Sequence, residues 1–135
     1  VHGTPDYDMD KAYNQSKLGN VLFAYELARR LSDVGITVNS YEPGMTVSDF
    51  GREYTGFKAF MAKAWRPFMA TPEKAAETAI YLALSPQVAQ VTGKHFVNKK
   101  AVRSSPLSYD TSLALRLWNA SERLTDSQTL YASPL

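Results

Sequence analysis

The chain has 135 residues, the size of one ordinary domain, since domains usually run about 100–200 residues. With 44% hydrophobic and 21% charged residues and no cysteine, it is not a disordered, collagen-like or disulfide-stapled chain, and it has neither a thiolate metal site nor a cysteine nucleophile. Fifteen basic residues against 13 acidic ones leave a net charge of +2, too weak a field to imply a nucleic-acid partner.

Residues 1–10 read as a loop, with Gly3, Pro5 and three aspartates. Asp8 or Asp10 is placed to cap the helix that follows. From about Lys11 to Ser32 the pattern is helical: Leu18, Val21, Leu22, Tyr25 and Ala28 recur at three- and four-residue steps. Leu27 and Leu31 widen the apolar stripe, which predicts packing on more than one neighbour. Arg29 and Arg30 suit the negative pole of that helix, and Gly35 is a natural stop. Ile36 to Tyr41 is a short β-branched stretch that reads as a strand, ended by Glu42-Pro43-Gly44. A helix feeding a strand through a short turn is half of a βαβ unit, hence a parallel sheet.

Residues 45–56 read as irregular. Phe57 to Met69 places Phe57, Phe60, Met61, Ala64, Trp65 and Phe68 on one helical stripe, either a substrate lid or an ordinary core or subunit-contact helix; a short amphipathic helix on a membrane surface is the third reading. Thr71-Pro72-Glu73 is a helix start, with Thr71 as cap and Pro72 in the first turn; the helix runs to Leu84 and Ser85-Pro86 stops it. Gly93 to Val97 reads as a second strand, 98–108 as loop, and Tyr109 to about Leu124 as the last helix. Two short strands do not make a stable sheet, which takes roughly three with a covered face. Further strands are therefore expected from a preceding segment or another chain. No run of about 18 apolar residues occurs, so nothing here reads as a transmembrane helix.

Tyr13 and Lys17 are four residues apart near the start of the first helix, a spacing that stacks them on one face. An ammonium beside a phenol favours the phenolate, and such a tyrosine moves a proton to or from a developing alkoxide. Alone, the pair reads equally as a half-exposed surface pair, the commoner occurrence. His2 and His95 lie too far apart for a zinc site, and His95 reads as a satisfied strand histidine. Lys99, Lys100 and Arg103 read as solvated surface, and Trp118 as a core anchor.

The context narrows the choice. Tyr13-Asn14-Gln15-Ser16-Lys17 opens an amphipathic helix, and Val38-Asn39-Ser40-Tyr41-Glu42-Pro43-Gly44 follows as a strand ending in Pro-Gly. Thr71-Pro72-Glu73-Lys74-Ala75-Ala76, Val91-Thr92-Gly93-Lys94-His95-Phe96 and Leu117-Trp118-Asn119-Ala120-Ser121-Glu122 come later in compatible order. With these motifs the chain resembles the short-chain dehydrogenase/reductase family, in its retinol-dehydrogenase-like branch.

The resemblance implies an α/β fold, the C-terminal half of a Rossmann-type doubly wound parallel sheet with an edge strand near 94–97 and its N-terminal strands missing. Residues 1–135 would form one C-terminal catalytic portion without an internal boundary. Tyr13 would be the general acid/base and Lys17 would hold the nicotinamide ribose and ease proton loss from Tyr13. Pro43, Gly44, Met45 and Thr46 would lie against the nicotinamide end of NADP or NAD. Ser48 stands where the family usually has threonine and keeps its hydroxyl; Glu42 also departs from the branch.

The family's glycine-rich turn, its Asn-Asn-Ala-Gly segment and its catalytic serine upstream of the tyrosine are not in these residues. The chain, which starts at Val1, is therefore expected to be a piece of a longer enzyme. The substrate implied is a small or lipophilic alcohol or carbonyl. A homo-oligomer, or pairing with the N-terminal half, is expected, with a cytoplasmic location favoured over peripheral membrane association. The competing reading is a non-catalytic binding or assembly module derived from the family's C-terminal half.

Overall fold

The computed structural model describes residues 8–44 and 70–125. In chain order they form helix α1 (Met9–Arg30), strand β1 (Ser40–Glu42), helix α2 (Pro72–Leu84), strands β2 (His95–Val97) and β3 (Lys100–Val102), and helix α3 (Thr111–Thr125). Short 3-10 turns fall at Pro86–Val88 and Pro106–Tyr109. The described residues group into two compact units. One runs up to Ser40, takes in Val91–His95 and resumes at Arg103; the other draws on Tyr41–Gln90 and Phe96–Val102. The expected helix at 57–69 lies outside the described residues.

Helix α1 starts where Asp8 caps it, the carboxylate accepting the Lys11 N–H at 3.1 Å. Asp10 falls in the first turn, where a negative charge meets the positive helix pole. The first half of α1 is largely exposed, while Leu22, Ala24, Tyr25 and Ala28 in the second half are buried. That half packs on α3 in the first unit. Gly19 faces Leu117 of α3, with room for a methyl group: a Cβ there would stand 3.8 Å from Leu117 Cδ2, an ordinary van der Waals contact. Phe23 stacks on Trp118 with ring centroids 5.2 Å apart, and the Arg30 guanidinium sits 4.3 Å from the centre of the same indole ring. Ala114 of α3 is 1% exposed and marks the tightest point of the core.

Glu26 is a charge buried in this helix. Arg29 reaches its Oε2 through Nη2 at 2.6 Å and Nε at 3.1 Å, and Arg30 Nε reaches Oε1 at 2.8 Å. Burial opposes ionisation of Glu26, but the two guanidinium groups outweigh it and hold the carboxyl below its usual range. A depressed folded-state value means that the contribution is fully present above the ordinary carboxyl value of 4.5. It is lost as pH falls through the folded value. Both arginines are partly exposed, so Glu26→Gln is expected to cost only about 1–2 kcal/mol near neutral pH. The penalty should shrink in acid, read as converging denaturation midpoints of the two proteins below the ordinary carboxyl range. A penalty that stays constant with pH would contradict the assignment.

Helix α2 has the bounds the sequence implies. Thr71 Oγ1 accepts the Lys74 N–H at 3.3 Å, Pro72 opens the helix, and Ser85 caps its end. Thr78, buried on α2, accepts the Lys99 N–H at 3.2 Å. Glu77 pairs with Lys74 at 3.0 Å and with Lys99 at 2.7 Å. These contacts tie the turn after β2 to α2 within the second unit. Ile80 and Leu84 of the same helix stay 55% and 77% exposed.

The strands order β1-β2-β3, and this corrects two expectations. The segment after β2 is not all loop, because Asn98 (φ 49°) and Lys99 (φ 64°) turn the chain back into β3. Two consecutive left-handed residues make the tight turn that matches strand twist. Consequently β2 is the middle strand of the three, not the edge strand.

The strand expected over 36–41 is regular only from Ser40. Side chains replace the ladder before it. Asn39 Nδ2 donates to the Val91 carbonyl at 2.6 Å, and its Oδ1 accepts the Lys94 N–H at 3.0 Å. Val38 N–H donates to Thr92 Oγ1 at 3.0 Å, Gly93 N–H to the Val38 carbonyl at 2.8 Å, and Ser40 N–H to the Lys94 carbonyl at 3.0 Å. The pairing climbs both segments in the same direction. Among the described residues, no helix is long and apolar enough to cross a membrane.

Candidate active site

The exposed half of α1 carries Tyr13 and Lys17. The other half packs on α3, and this end continues the same helix. One helical turn brings the Lys17 Nζ to 5.3 Å from the Tyr13 ring centroid. The ammonium therefore lies within cation–π distance of the ring. Tyr13 is 43% exposed, so an incoming molecule can reach the phenol. Ser16 does not compete for it: its hydroxyl donates back to the Tyr13 backbone carbonyl at 2.7 Å.

Pro43 and Gly44 follow β1 in the second unit. Gly44 has φ +76°, a left-handed conformation that any side chain would strain. Met45, Thr46 and Ser48 lie outside the described residues. Of the residues singled out in the sequence, the structure brings Tyr13 and Lys17 together.

His95 is satisfied, as its strand position implies, with Nδ1 2.9 Å from Ser40 Oγ. Among the described residues, no cluster of three or more histidines, aspartates or glutamates is arranged to hold a metal ion. Sequence reasoning missed the Asn39 and Thr92 bridges, which have no local signal because their partners lie more than fifty residues away. It also missed Glu26, whose signal was present: arginines three and four residues on, the spacing of same-face neighbours.

Comparison with known proteins gives the lineage. A family model described as enoyl-(acyl carrier protein) reductase matches residues 1–99. The chain is 39% identical over 126 residues to retinol dehydrogenase 14 of Mus musculus, covering 90% of this chain and 37% of that protein. It is 38% identical over 134 residues to retinol dehydrogenase 13 of Mus musculus, covering 95% of this chain and 40% of the relative. It is 40% identical over 128 residues to the chloroplastic short-chain dehydrogenase TIC 32 B of Brassica napus, covering 91% and 39%. The chain spans 37–40% of the length of these relatives. By the family match and this likeness, the chain belongs to the short-chain dehydrogenase/reductase family, in its retinol-dehydrogenase-like branch.

Proposed function

We propose that this chain supplies the proton-transfer part of a nicotinamide-dependent oxidoreductase that interconverts an alcohol and a carbonyl. The observation that supports it is the Tyr13–Lys17 pair, with the ammonium 5.3 Å from the ring centroid on an anchored, accessible helix. A phenol and an ammonium on one helix face suit a ligand rich in hydroxyl groups, so the ribose of NAD or NADP fits Tyr13 and Lys17. When bound, that cofactor supplies or accepts the hydride.

The chain's own residues do the rest. Tyr13 hydrogen-bonds the substrate oxygen, gives it a proton when a carbonyl is reduced and removes one when an alcohol is oxidised. Lys17 holds the ribose hydroxyls, and its charge offsets the negative charge that develops on the phenol oxygen. Pro43, Gly44, Met45, Thr46 and Ser48 would lie against the nicotinamide end of the cofactor, as the family resemblance implies. The substrate is a small or lipophilic alcohol or carbonyl, a class that the names of the retinol dehydrogenases support. The fold is a doubly wound parallel sheet, which the same-direction pairing of 38–40 with 93–94 favours.

Hydride tracing tests the reaction class. The complete protein is given a panel of lipophilic alcohols bearing deuterium on the carbinol carbon, with NAD or NADP. The expected result is deuterium on the nicotinamide ring of the reduced cofactor, read by mass spectrometry. Product formation with the label released to water would overturn the proposal.

A further inference from the structure

Residues 38–40 and 91–95 belong to the first unit, and side chains join them as much as backbone does. Thr92 Oγ1 accepts the Val38 N–H at 3.0 Å and turns its own hydrogen toward the Val38 carbonyl, 3.4 Å away. The same carbonyl accepts the Gly93 N–H at 2.8 Å. Asn39 reaches two backbone groups, the Val91 carbonyl through Nδ2 at 2.6 Å and the Lys94 N–H through Oδ1 at 3.0 Å. Ser40 extends the set, its N–H 3.0 Å from the Lys94 carbonyl and its Oγ 2.9 Å from His95 Nδ1.

The residue types are specific to this clasp. Both partners of Asn39 are backbone groups of fixed polarity, so the amide has one orientation, and neither a carboxylate nor an aliphatic chain serves both. Thr92 needs a hydroxyl, since it accepts from one group of Val38 and donates to the other.

The clasp also has a fixed seat. Gly93 has φ +66°, a left-handed conformation, and faces α1: a Cβ there would stand in ordinary contact, 3.7 Å, with Ala28 Cβ. Ala28 lies in the buried half of the helix whose exposed half carries Tyr13 and Lys17. From the clasp the chain runs on through β1, and Pro43 and Gly44 follow directly after Glu42. The clasp therefore fixes, against the helix of the acid/base pair, the point from which the Pro43–Gly44 segment departs.

We propose that Asn39 and Thr92 are positioning residues for the oxidoreductase reaction, holding the start of β1 so that the Pro43–Gly44 segment is in place for the nicotinamide end of the cofactor. This rests on the reading of Tyr13, Lys17 and Pro43–Gly44 given under the proposed function. Both residues act through the segment that follows them. A strand end without the clasp takes several positions, and apparent cofactor affinity falls by the fraction of time the segment is out of place. Proton transfer at Tyr13, once the cofactor is bound, is unaffected.

The complete protein and its variants are compared by steady-state kinetics with NAD or NADP, alongside their denaturation midpoints. Thr92→Val keeps the shape and removes the hydroxyl. Asn39→Asp keeps the shape and sets a carboxylate oxygen against the Val91 carbonyl. Each should raise the cofactor KM several-fold while kcat at saturating cofactor stays near native. Thr92→Ser retains the hydroxyl and should keep the native KM. A native cofactor KM in folded Thr92→Val and Asn39→Asp proteins, with only their midpoints lowered, would overturn the proposal and leave the reaction class standing. So would a Thr92→Ser protein that behaves like Thr92→Val. If one of the two disabling variants does not fold, the other decides; failure of both to fold would assign the clasp to stability alone and overturn the proposal too. A native protein without nicotinamide-dependent turnover would instead sink the proposed function, and this inference with it.

Discussion

Trp118→Ala is expected to destabilise the complete protein by about 2–4 kcal/mol, and Trp118→Phe by less than about 1 kcal/mol. The indole stacks on Phe23 at 5.2 Å and lies 4.3 Å from the Arg30 guanidinium. Alanine removes both contacts at once and opens a gap between α1 and α3. The indole Nε1, however, is buried without a hydrogen-bond partner. That orphaned donor detracts from what the ring contributes, and phenylalanine keeps a ring while removing it. Half-burial of Trp118 places the alanine cost below that of a fully buried tryptophan. Denaturant midpoints of the three proteins check the order. A phenylalanine cost as large as the alanine cost would show that Nε1 has a partner in solution.

Helical parts of this fold were legible because their signals are local. Asp8, Thr71 and Pro72 mark starts within one turn of the residues they cap, and α2 follows those marks from Pro72 to Leu84. The strands were harder to read. A tight hairpin usually announces itself with glycine, but here Asn98 and Lys99 both adopt left-handed angles, so β3 was read as loop. The stretch from Ile36 carries a strand's composition, yet Ile36 is 52% exposed and the regular strand begins at Ser40. Asn39 and Thr92 had taken over the backbone bonds that would have extended it.

The candidate site divides along the same line. Tyr13 and Lys17 could be paired from sequence because four residues are about one helical turn. The Asn39–Val91 and Val38–Thr92 bonds join residues 52 and 54 apart and left no trace in any window of sequence.

The acid/base role of Tyr13 is the center of this account, and Tyr13→Phe in the complete protein tests it most directly. Phenylalanine keeps the ring beside the Lys17 ammonium, 5.3 Å from its centroid, and removes only the oxygen that would carry the proton. Cofactor-dependent turnover should fall by about 10²–10⁴-fold, the usual contribution of a positioned acid or base. The denaturation midpoint should stay close to that of the native protein, since Tyr13 is 43% exposed. A Tyr13→Phe protein that turns over at the native rate would contradict the account.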